Sequence, residues 1–286
     1  MKKDTIVSKK WFILFVILLL VMMIGSVFDY QISQVLYHPQ SVIGMIFAAY
    51  GQLPAMICIG IAGTLLLRFV QKERRIKSLI CLIFCVLLNI LAIIFATLDP
   101  LLYIEQMPMM ISLMLAIVII FFSDWTIWKV TKNTDTKKIK NVIIVLLCVV
   151  FIEIIMINLI KVLWSRPRMR MIENYSQSSF QPWWIIGCQM KETLMTLGVQ
   201  AEEFKSFPSG HTVNAACALL LVLIPYLSSQ FKTKEHCLWT IGVVFTCLVA
   251  FTRIIVGAHF LTDVTVGFLI TAVFIFVFLR LLIKEI

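Results

Sequence analysis

Three short segments of the 286-residue chain carry residues that could do chemistry together. The first runs from Lys161 to Arg168. The second is Pro208-Ser209-Gly210-His211. The third runs from Arg253 through Gly257 to His259 and Asp263. Lys161, Arg168 and Arg253 are cations whose donors suit phosphate oxygens, the two arginines in bidentate fashion. Ser209 and Gly210 stand where a helix opens, and free N–H groups and the positive dipole end there favour an anion. Gly210 also lets a ligand approach the backbone closely. His259 and Asp263 are four apart, hence on one helix face. A carboxylate so placed can hold one imidazole nitrogen as N–H and leave the other free to attack. His211, on a different helix, can give a proton to a leaving oxygen. The expected chemistry is phosphoryl transfer through a phosphohistidine, followed by attack of water. The cations would do what Mg²⁺ does elsewhere. Arg166 is an auxiliary candidate for the same phosphate. His-x-x-x-Asp with a second His also has metal-ligand spacing. Three cations aimed at one spot repel a divalent metal, so neither a metal nor another cofactor is expected.

Placing these groups requires long apolar elements. Hydrophobic residues make up 61% of the chain and charged residues only 14%, against roughly 25% in soluble domains. About 20 apolar residues cross a bilayer as a helix. Eight stretches qualify: Trp11–Phe28, Gly44–Val70, Ser78–Leu98, Met107–Trp128, Asn141–Leu163, His211–Ser228, Cys237–Val256 and Phe260–Leu282. They are too long and unalternated for barrel strands, so the expected fold is all-α, a polytopic transmembrane helix bundle of eight spans. The first stretch exceeds a signal-peptide core of roughly 7–15 residues and is expected to be retained.

The charge of +10 follows the spans. Eighteen Lys and Arg fall on the side that holds both termini, including Lys2, Lys3, Lys9, Lys10, Arg68, Lys138 and Lys284. That side is expected to be cytoplasmic. Seven remain opposite: Lys161, Arg166, Arg168, Arg170, Lys191, Lys205 and Arg253. Basicity is thus mainly topological, and no nucleic-acid partner is expected. The three chemical segments all fall at helix ends on the extracytoplasmic side.

Those segments resemble the signature of the type 2 phosphatidic acid phosphatase superfamily, the lipid phosphate phosphatases. Its pattern is Lys, six residues, Arg-Pro; then Pro-Ser-Gly-His; then Ser-Arg, five residues, His, three residues, Asp. Here Lys161 is followed after six residues by Arg168-Met169, Pro208 to His211 is complete, and Thr252-Arg253 leads to His259 and Asp263. Met169 and Thr252 replace the family Pro and Ser. The resemblance implies His259 as nucleophile, Asp263 as its orienter, His211 as acid, and Lys161, Arg168, Ser209, Gly210 and Arg253 as phosphate binders, without metal. It implies a six-helix core over residues 78–286, with residues 1–70 as a two-helix addition.

The expected substrate is a lipid phosphate monoester or a polyprenyl diphosphate, such as phosphatidate, phosphatidylglycerol phosphate or undecaprenyl diphosphate. The bilayer is its other partner, in the manner of a bacterial plasma-membrane enzyme. A lipid phosphotransferase using the same covalent step is one alternative. An anion or lipid transporter with Glu153 as coupling group is another, though no repeat is present. Glu153 lies mid-span and is expected to have a structural hydrogen-bonding role. Trp183–Val199 reads either as a helix lying on the outer leaflet or as an ordered connector.

Overall fold

The computed structural model describes residues 3–283, with side chains from residue 9 onward. Lys2, Lys3 and Lys284, counted in the charge partition, fall outside those side chains. The described residues form helices only, with no strand. Eight of the helical runs are long and apolar enough to cross a membrane. They coincide with the eight stretches legible in the sequence.

The twelve α-helices are α1 (Lys3–Leu36), α2 (Val42–Tyr50), α3 (Leu53–Leu66), α4 (Arg75–Tyr103), α5 (Met109–Val130), α6 (Thr136–Trp164), α7 (Met169–Asn174), α8 (Lys191–Thr196), α9 (Gly210–Ala216), α10 (Ile224–Leu227), α11 (Glu235–Ile255) and α12 (Leu261–Leu282). Helices α2 and α3 make up the second span, broken at Gly51 and Gln52 ahead of Pro54. A proline in the first turn is tolerated because its missing N–H would have no intrahelical partner. Helices α9 and α10 make up the sixth span, joined by a tighter 3₁₀ run over Cys217–Leu223.

Burial sorts the spans. Two-thirds of the sixth span is buried, against 17% of the third, so the sixth is the central strut and the third faces lipid. Helix α1 lies along α12, and α9 is wedged between α11 and α12. One buried apolar cluster joins Trp11, Leu14 and Leu18 of α1 to Ile59 of α3, Val149 of α6, Leu219 of the sixth span and Ile275 of α12. The first two spans therefore share their core with the later ones.

The connector between α6 and α9 is ordered, and it is not one interfacial helix. Within Trp183–Val199 only Lys191–Thr196 is helical. Gly187, at a positive φ of 79°, breaks the run, and the Gln181 amide ties the turn through the carbonyls of Ile185 and Gly187. Trp183 packs inward on Phe207 and donates its indole N–H to Ser26 of α1. Trp184 alone of that pair is exposed.

Candidate active site

Helix α6 ends because Ser165 adopts a left-handed conformation, φ 47°. That stop leaves Lys161 in the last turn and throws Arg166-Pro167-Arg168 across the bundle end. Arg168 caps α7 in an extended conformation, ψ 152°. Helix α9 starts at Gly210, with Ser209 as its cap; the Ser209 hydroxyl accepts from Thr212 N–H at 3.4 Å. The turn from α11 to α12 is made by Gly257, φ 64°, whose missing side chain leaves room for the Tyr37 ring. These three breaks gather the sequence-marked residues at one end of the bundle.

His259 is buried, and its Nδ1 lies 2.6 Å from the carbonyl of Ser206. A carbonyl only accepts, so Nδ1 carries the proton and Nε2 keeps its lone pair. Burial chiefly holds this imidazole down to about 3, Asp263 opposing and Arg168 and Arg253 adding to the effect. It is therefore neutral at pH 7. Asp263 is 3.8 Å from Nδ1, beyond hydrogen-bond reach. It acts one step back: its Oδ2 accepts from the Ser206 hydroxyl at 2.5 Å and from Phe260 N–H at 2.8 Å. The aspartate fixes Ser206, and the Ser206 carbonyl fixes the histidine.

His211 lies across the cluster. Its Nε2 donates to the carbonyl of Ala48, on α2, at 3.2 Å, and its ring meets the Tyr103 ring edge-on. Nε2–H is thus committed, and Nδ1 is the nitrogen left to exchange a proton.

Three cations border the space between. Lys161 Nζ lies where a Cβ on Gly210 would be 3.2 Å away, so glycine there leaves the ammonium its place. Arg168 Nη2 reaches the Glu202 carboxylate at 2.9 Å, and Lys205 shares that carboxylate. Burial pushes Glu202 upward, but Lys205 and Arg168 outweigh it and hold the carboxyl below its usual range. Arg253 is 2% exposed, yet its Nε and Nη1 have no partner among the described residues; Arg168 Nε is likewise bare. Buried donors without acceptors cost roughly 1–3 kcal/mol each, more when charged. Such a cost is expected where a ligand supplies the acceptors. Among the described residues, no three His, Cys, Asp or Glu side chains gather as metal ligands.

Residues 141–286, just over half of the chain, match the PAP2 superfamily. The chain belongs to that superfamily. A stretch of 66 residues, 22% of the chain, is 41% identical to the Phosphatidylglycerophosphatase B of Bacillus subtilis (strain 168). The match covers 32% of that protein, so the chain spans about a third of the length of its curated relative. No solved structure matches it.

The PAP2 match contains every sequence-marked residue, and the structure brings together all but one. Arg166 does not enter the phosphate space. It is fully buried behind Asp263, with Nη1 on Asp263 at 2.5 Å and on Thr262 at 2.9 Å, Nη2 on Asp29 at 2.9 Å and Nε on the Gln181 carbonyl at 2.8 Å. Its face lies over the Phe260 ring. A guanidinium spent on two carboxylates has nothing to offer a phosphate. Ser209 needs a second correction: its N–H donates to the Asp263 carbonyl at 3.0 Å, so that donor is not free.

The two departures from the PAP2 pattern cost little locally. Proline at the first helical position biases the preceding residue to extended backbone. Arg168 already adopts that conformation, with Met169 fully buried after it. Thr252 turns its hydroxyl back to the Val249 carbonyl. Four contributors escaped the sequence: Asp29, Ser206, Tyr103 and the Ala48 carbonyl. Asp29 carries a signal, an ionisable residue in an apolar helix, but it stands just past the apolar stretch that ends at Phe28. The side chains of His38 and His236 are exposed, and the His38 N–H donates to the Ile255 carbonyl at the end of α11.

Glu153 is buried in α6 and accepts from the Cys217 thiol at 3.5 Å; its other oxygen is unpartnered. All eight cysteines are free.

Proposed function

We propose that this PAP2 protein is a membrane phosphatase that removes a phosphate from a lipid. The observation that carries the reading is Arg253: a buried guanidinium with two unpartnered N–H groups beside a neutral histidine whose Nε2 is free. A phosphate supplies the acceptors those nitrogens lack. Arg253, Arg168 and Lys161 grip its oxygens. Substrate displaces Glu202 from Arg168, exchanging one carboxylate for a more highly charged anion.

His211 enters as the imidazolium that a bound phosphate favours; His259 Nε2 attacks phosphorus, the bond to the leaving oxygen breaks, and His211 Nδ1–H protonates that oxygen. Charge developing on the equatorial oxygens meets fixed donors, each worth roughly 10²–10³ in kcat by analogy with oxyanion holes. His211, now neutral with Nε2–H still on Ala48, takes a proton on Nδ1 from water as that water attacks phosphorus and the N–P bond of the phosphohistidine breaks. Inorganic phosphate leaves, and both imidazoles return to their starting states. Asp263 stabilises the arrangement through Ser206 as positive charge develops on His259. No step uses a metal.

The lipid assignment rests on the location of the site at the ends of membrane-spanning helices, where a headgroup can reach it while its tails stay in the bilayer. The name of the B. subtilis relative supports phosphatidylglycerol phosphate within that class. The uneven distribution of Lys and Arg supports an extracytoplasmic site. The test is phosphate release from lipid phosphates by the detergent-purified protein, with and without EDTA, beside His259→Ala. Release by the wild type in EDTA and none by the variant is expected. Undiminished release by His259→Ala removes the nucleophile, and loss in EDTA restores a metal.

A further inference from the structure

A cavity of about 620 Å³ adjoins the phosphate space. Arg253, Ala48 and Tyr103 belong to its wall. Two of these hold His211: Ala48 through its carbonyl and Tyr103 through its ring. The cavity therefore opens beside the histidine that protonates the leaving oxygen, and Arg253 links it to the phosphate.

Its chemistry is specific. Tyr37, Gln40 and Asn174 offer phenol and amide groups, and Glu105 offers a carboxylate. The one further cation, Arg170, is already held by Glu203, Nε at 3.0 Å and Nη2 at 2.5 Å. Hydroxyl groups would find both donors and acceptors.

We propose that this cavity receives the leaving alcohol and selects lipids whose phosphate is carried on a hydroxylated, glycerol-like headgroup. The inference rests on the phosphatase reading above. Most of the wall lies before residue 141, where the PAP2 match begins. Selectivity for the headgroup is thus built by the α1–α2 turn and the end of α4, on chemistry supplied by the later helices.

The test compares phosphatidylglycerol phosphate with phosphatidic acid of identical acyl chains in detergent micelles. The first leaves an alcohol with a glycerol hydroxyl beside the ester; the second leaves diacylglycerol. The variants are Tyr37→Phe, Asn174→Ala and the cavity-filling Gln40→Trp. Losing one hydrogen bond to a neutral hydroxyl should lower kcat/KM for phosphatidylglycerol phosphate about fivefold, mainly through KM. The value for phosphatidic acid should stay within about twofold, since no contact to it is removed. An equal fall on both lipids, or none on either, overturns the cavity assignment while leaving the phosphatase intact. Wild-type protein that releases phosphate from neither lipid overturns the phosphatase reading and this one with it.

Discussion

Asp29 lies in the first span, 234 positions before Asp263, yet both grip Arg166. Asp29→Asn should weaken the fold and slow the chemistry. One carboxylate oxygen accepts from Arg166 Nη2 and from the Thr262 hydroxyl, the other from Thr262 N–H at 2.9 Å. The amide keeps one acceptor and turns an –NH₂ toward a donor. Breaking a buried ion pair costs roughly 3–5 kcal/mol. Arg166 retains Asp263, so the lower end, about 3 kcal/mol, is the expected loss. If about 1.4 kcal/mol of this appears as displacement of Asp263, kcat falls about tenfold. KM should hold, because Asp29 touches none of the phosphate-facing cations. The assay is the thermal midpoint in detergent together with kcat and KM. Arg166→Met should mask the effect: the double variant should be less damaged than the sum of the singles. A variant with unchanged midpoint and unchanged kcat, or strict additivity with Arg166→Met, would refute the coupling.

Two further outcomes follow from the same geometry. Arg253→Met should abolish most phosphate release, about 100-fold or more, yet raise the midpoint of the ligand-free protein, because an uncompensated buried charge disappears. Inorganic phosphate should protect the wild type against heat and leave the variant unmoved. His259 gives a pH signature. Its folded value of about 3 lies below the unfolded 6.5, so in that window the unfolded chain binds a proton that the folded one refuses. Its contribution to stability is complete above pH 6.5 and declines as pH falls toward 3. The midpoint should drop between pH 7 and pH 5 and drop less in His259→Gln; parallel slopes would count against the buried neutral imidazole.

The eight spans were legible because bilayer thickness imposes one length on every element, and apolar runs such as Ser78–Leu98 have no other use. The cluster was legible because Lys161, His211 and His259 are rare residue types at helix ends. The place of Arg166 behind Asp263, away from the phosphate space, was not. Both are arginines on one short stretch, and which faces the phosphate depends on the left-handed turn at Ser165. The Ser206 carbonyl was invisible because any residue carries a carbonyl, and the sequence favoured the nearer carboxylate, Asp263. The cavity wall at Tyr37 and Tyr103 comes from the α1–α2 turn and the end of α4, distant in sequence, with no spacing to announce it.

The Arg166 arrangement bears on how the molecule is made. Chain synthesis delivers Asp29 first, Arg166 midway and Asp263 near the end. Until the final span is inserted, Arg166 is paired with Asp29 alone, and its Nη1 lacks the acceptors that Asp263 and Thr262 supply. The last helix brings Asp263, which completes the Arg166 hydrogen bonds and holds Ser206, whose carbonyl meets His259. A chain without the last helix therefore lacks Asp263 and the support it gives to both Arg166 and Ser206.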